Sequence, residues 1–160
     1  MFREFMGLPL HPMLIHAVVV FVPLLALVSV AYVALPRFRS RLDWAAVALA
    51  VGAPVSAFFA KMSGEELKEV LIGRNYPPEG IAKIEEHQGY GELTLWWSLG
   101  LGVATILLVV LTSRRAQARS LPGWVKLVLS GIVVVLAGIS VYYVYLTGDT
   151  GAKTVWEGIL

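Results

Sequence analysis

The chain has 160 residues, of which 58% are hydrophobic and 15% charged, with a formal net charge of +2 and no cysteine. A soluble single domain of that composition would have too little polar surface to cover itself, so part of the chain must face lipid. The absence of cysteine excludes disulfides, thiolate metal sites, iron–sulfur clusters and covalent c-type haem attachment, leaving imidazole and carboxylate as coordinating groups.

Four stretches lack Asp, Glu, Lys and Arg altogether: residues 5–36, 44–60, 93–113 and 127–148. A bilayer core needs about 20 helical residues, with a lower limit of roughly 17, so each stretch is long enough to cross. The spacing predicts an all-α, polytopic membrane protein: one domain over 1–160, a four-transmembrane-helix bundle with spans at about 12–35, 44–61, 92–113 and 124–147. The lipid bilayer is the first partner this implies.

The first helix is expected to start at Pro12, whose missing N–H suits an opening turn. His11 then sits at the cap, and His16 lies roughly 6 Å deeper. The segment is read as a retained helix, not a cleaved signal, because its apolar run exceeds the ~7–15 residues of a signal core and its positive cluster follows the run. Pro23, and Pro54 in the second span, are expected to bend their helices.

The connection after the first span carries Arg37, Arg39 and Arg41 against Asp43, and the one after the third carries Arg114, Arg115 and Arg119, followed by Lys126. These hold seven positive charges and one negative, while the remainder of the chain holds six positive and ten negative. By the positive-inside rule the arginine connections are cytoplasmic, so both termini and the middle connection are expected outside. The basic pI of about 9.0 therefore reports topology, and no recognition motif points to nucleic acid.

The extracytoplasmic loop, 62–91, is too polar for lipid. Ser63-Gly64-Glu65-Glu66 has a capping-box pattern, with Leu67, Val70 and Leu71 on one face and Gly73 as a stop, which predicts a short amphipathic helix on the outer surface. After Tyr76-Pro77-Pro78, Ile81 and Ile84 recur at helical spacing and lead into the third span past His87. Trp44 and Trp124 mark inner ends, and Trp96, Trp97, Tyr142, Tyr143 and Tyr145 outer ends, of an interfacial aromatic belt. The small residues Gly100, Gly102 and Ala104, with Ser130, Gly131, Ala137 and Gly138, are expected to let the third and fourth helices approach closely.

Following each helix outward collects His11, His16, Lys61, Ser63, His87, Glu92, Asp149 and Lys153 at one rim. Ionisable groups near a bilayer are functional candidates by default. The sharpest expectation is a b-type haem between the first and third helices, with His16 and His87 as axial ligands and His11 and Asp149 supporting them. A divalent metal held by His16 and His87, joined by His11 and a carboxylate, is one alternative, although no local spacing specifies it; the other is that these groups only hydrogen-bond the helix ends to the outer loop. His11 and His16 are five apart, about 140° around a helix, and do not share a face. Metal transport is disfavoured, since no carboxylate lies deep in a span. No nucleophile arrangement, glycine-rich phosphate loop or metalloprotease motif appears, so hydrolysis has little support. Ser140 and Thr105 are expected to bond back to helix carbonyls.

Gly7-Leu8-Pro9-Leu10-His11-Pro12 with His16, the His87-Gln88-Gly89 segment, and the closing run from Thr147 to Trp156 resemble the bacterial four-helix membrane proteins of the domain of unknown function 2231 family. The resemblance covers nearly the whole chain. It implies a bacterial cytoplasmic membrane protein and raises an electron-transfer role, since some members are linked to haem or redox proteins. Members often carry histidine where this chain has Asp149, which weakens a scheme needing that position. The competing role is a non-catalytic accessory subunit of a larger membrane or respiratory complex, and the partners expected besides lipid are such a redox complex or further copies of the chain in a homo-oligomer.

Overall fold

The computed structural model describes residues 4–5, 7–112 and 122–156. A two-residue strand, β1 (Glu4–Phe5), pairs antiparallel with β2 (Leu8–Pro9) around Gly7, whose φ of 78° is open to glycine. Four long helices follow: α1 (Leu10–Ala34), α2 (Arg39–Gly73), α3 (Pro78–Thr112) and α4 (Gly123–Trp156). All four are long and apolar enough to cross a membrane, and a helix satisfies its own backbone polar groups where lipid offers none. The arginine cluster Arg114, Arg115 and Arg119 lies outside the described residues.

Around the bundle α1 packs beside α2 and α4, and α3 likewise, so α1 and α3 face each other across the axis. Buried positions recur at spacings of four and three, the periodicity of gently crossing helices: Val18, Val22, Leu25 and Ser29 on α1, and Ala46, Ala50, Ala53 and Ala57 on α2. The outward faces are greasy, with Leu27 65% and Leu127 75% exposed, as lipid contact requires. Trp44, Trp96, Trp124, Tyr142 and Tyr145 are also exposed, while Trp97 stacks on Tyr143 between α3 and α4 with centroids 6.3 Å apart.

The bundle contains an internal repeat that was not anticipated. Each buried residue of α1 has a buried counterpart 76 positions later on α3: Val18 and Thr94, Leu25 and Leu101, Ser29 and Thr105 among them. Each buried residue of α4 has one 87 positions earlier on α2, as Val133 has Ala46 and Ser140 has Ala53. The hairpins α1–α2 and α3–α4 thus share a pattern of buried positions, as an approximate pseudo-twofold along the bundle would give.

Four local expectations change. Thr105 Oγ1 bonds Ser29 Oγ instead of a carbonyl of its own helix, and Ser140 Oγ has no hydrogen-bond partner among the described residues. The polar segment 62–91 is helical, but as continuations of α2 and α3 tied by Lys68 and Glu85 at 2.7 Å; Ser63 is mid-helix and caps nothing. The helix does end at Gly73, but the left-handed residue that turns the chain is Asn75 and not a glycine. Asn75 has φ 56°, with its N–H donating to Ile72 O and that of Tyr76 to Leu71 O, the paired bonds of a Schellman end. Gly102 serves α2 instead of α4: a Cβ there would strike the Ala50 carbonyl, whereas Gly131 and Gly138 have nothing within 4 Å. Pro23 and Pro54 both lie inside unbroken helices.

Candidate histidine site

His11 stands in the first turn of α1 and His87 nine residues into α3, at the same end of the bundle. The diagonal placement of the two helices brings the half-buried rings to 6.1 Å between centroids, at 82° to one another.

Each ring is held by the second helix of its own hairpin. His11 Nδ1 lies 3.0 Å from the Ala60 carbonyl and 3.1 Å from Ser63 Oγ. His87 Nδ1 lies 3.0 Å from the Thr147 carbonyl and 3.3 Å from Thr150 Oγ1. A carbonyl only accepts, so Nδ1 carries the proton in both rings and neutral imidazole keeps its lone pair on Nε2. The hydroxyls are themselves anchored, Ser63 donating to Ala60 O at 2.9 Å and Thr150 to Leu146 O at 2.8 Å. A glycine completes each bracket: a Cβ on Gly64 would stand 3.1 Å from His11 Cε1, and one on Gly151 2.9 Å from His87 Cε1. About two turns further along α3, Thr94 shares a 2.8 Å hydrogen bond with Thr147.

His16 is not part of this arrangement. It is exposed, and its Nδ1 donates to the Pro12 carbonyl of its own helix at 2.6 Å; the five-residue offset turns it away from His11. Asp149 instead pairs with Lys153 at 2.7 Å and lines a groove of about 260 Å³ with Lys83, Glu86 and Tyr90, while its neighbour Thr150 reaches His87. Lys61 pairs with Glu65 at 2.8 Å. Among the described residues no three His, Asp or Glu side chains gather as a metal site would need, so the four-ligand divalent scheme is not assembled.

Ser63, Gly64, Thr150 and Gly151 were not singled out as a unit by sequence reasoning. The available signal was the repeat: a hydroxyl residue followed by glycine, three and four positions after the residue whose carbonyl accepts from the ring, occurs in both hairpins. Chemically, two oriented imidazoles with free Nε2 atoms form a pair of neutral donors. No curated protein and no solved structure matches the chain. Over residues 7–159 it matches the DUF2231 family, described as predicted membrane proteins, and the protein belongs to that family.

Proposed function

We propose that the protein binds one b-type haem between His11 and His87 and serves electron transfer at the extracytoplasmic rim of the bacterial cytoplasmic membrane, with both termini outside. The observation that supports this reading is the cross-bundle imidazole pair, each ring tied through Nδ1–H to a main-chain carbonyl. Ligating histidines commonly donate their second ring N–H in that way, which fixes the tautomer and raises the basicity of the ligating nitrogen.

The donor count fits. His11 and His87 would hold such a group through Nε2, and two imidazoles are what the rim offers. The two rings stand 6.1 Å apart between centroids, close enough for one ligand to meet both. When bound, the group would supply a one-electron couple. The chain's residues supply orientation: Ala60 and Thr147 hold the protons on Nδ1. His16, assigned earlier as a ligand, is replaced in this role by His11.

The test is the reduced-minus-oxidised visible spectrum of detergent-purified protein, as isolated and after adding hemin. Bands lost in His11→Ala and His87→Ala but retained in His16→Ala support the reading. A preparation that is colourless as isolated and, with hemin added, shows only the spectrum of hemin in protein-free micelles overturns it, and co-purification of that preparation with a respiratory complex would favour the accessory-subunit role.

A further inference from the structure

We infer that Ser63 with Gly64, and Thr150 with Gly151, are matched positioning residues of a duplicated unit, so that the two hairpins present equivalent imidazoles to one ligand with two like faces. This rests on the haem reading for the ligand's identity, since a metal porphyrin is the chemical class with two like axial faces. The argument for the brackets is independent of it.

The equivalence is geometric. Ala60, Ser63 and Gly64 become Thr147, Thr150 and Gly151 on shifting by 87 positions, and His11 becomes His87 on shifting by 76. Those are the same offsets that relate the buried faces of the hairpins. A shared fold alone would require matching apolar positions. It would not require the same ring nitrogen to meet a carbonyl and a hydroxyl of the partner helix in both halves, with the ring lying over a glycine each time. Each element has a distinct job: the carbonyl selects the tautomer, the hydroxyl oxygen shares the Nδ1 proton and limits ring rotation, and the missing Cβ lets the ring lie flat on its neighbour helix.

The experiment uses the whole chain in detergent micelles, with 15N-labelled histidine and no added haem. Wild type is expected to show His11 and His87 both as Nδ1–H tautomers. Ser63→Ala should broaden or shift the signals of His11 only, and Thr150→Ala those of His87 only. The exchanges Ser63→Thr and Thr150→Ser, which keep a hydroxyl and spare the fold, should restore both. With hemin added, Gly64→Ala and Gly151→Ala should each weaken binding by roughly 10–100-fold and move the midpoint potential in the same direction. Nε2–H tautomers in wild type, or an effect from one bracket with none from its counterpart, would overturn the inference. Fixed tautomers that respond to both brackets in a protein that never takes up hemin would preserve it while removing the haem reading.

Discussion

Ser29 and Thr105 share a hydrogen bond of 2.8 Å at the middle of the bundle, joining α1 and α3, two helices that otherwise meet little. Both side chains are fully buried, and they are repeat partners, so the bond sits on the pseudo-twofold in the same way as the histidine pair nearer the rim. In lipid neither hydroxyl has water as an alternative partner. A double-mutant cycle with Ser29→Ala and Thr105→Val is expected to give a coupling energy of about 0.6 kcal/mol, with about 1.7 kcal/mol as the ceiling for such interhelical bonds. Reversible unfolding in mixed micelles measures it. Additive single effects would mean that the bond does not contribute to stability.

Glycine at 102 is required by contact, whereas glycine at 138 is not. A methyl group at 102 meets the Ala50 carbonyl, which is backbone and cannot rotate away, so α2 and α3 must separate. Gly102→Ala is therefore expected to destabilise by about 1–3 kcal/mol, as overpacking does. Gly138→Ala enters open space and is expected to leave the thermal midpoint unchanged or slightly higher. Thermal unfolding of the two variants side by side checks this, and equal losses would refute the close-approach account.

The number of spans, their order and the clustering of imidazoles at one end were legible in the sequence, because charge-free length and a short list of ionisable groups are properties of the chain itself. Which imidazoles meet was not legible. His16 lies in the apolar run and His11 at its border, so depth alone favoured His16. The deciding quantity is azimuth across the bundle, fixed by small residues such as Ala50 and Gly102 that set how α2 meets α3. Ser63 was misread for a similar reason: its S-x-x-E pattern is that of a cap, but the helix passes through it and its hydroxyl is committed to Ala60 and His11. The repeated pattern of buried positions was hard to see in the sequence, since few paired positions are identical and most, such as Val18 and Thr94, differ in chemistry.

Asn75 ends α2 in the left-handed region at φ 56°, where an amide side chain is tolerated and a β-branched one is not. Asn75→Gly is expected to hold or raise stability by a few tenths of a kcal/mol, whereas Asn75→Val should cost about 1–2 kcal/mol. The loss should be local. Hydrogen exchange should speed up around Ile72 and Tyr76 in the valine variant and leave the buried centre of α3 protected. Uniform loss of protection would indicate that the turn is coupled to the whole bundle.

The absence of cysteine makes the proposed topology directly measurable. Single cysteines at Glu79, on the first turn of α3 at the histidine end, and at Ser40, in the first turn of α2 beside Arg39 and Arg41, report opposite ends of the bundle. The arginine-bearing end should be retained in the cytoplasm, because translocating Arg37, Arg39 and Arg41 across the membrane is disfavoured. A membrane-impermeant maleimide added to intact spheroplasts is therefore expected to label Glu79→Cys and to spare Ser40→Cys until the membrane is broken. The reverse pattern would put the imidazole pair on the cytoplasmic side. It would also exclude electron exchange with an extracytoplasmic carrier through that rim, whatever the pair binds.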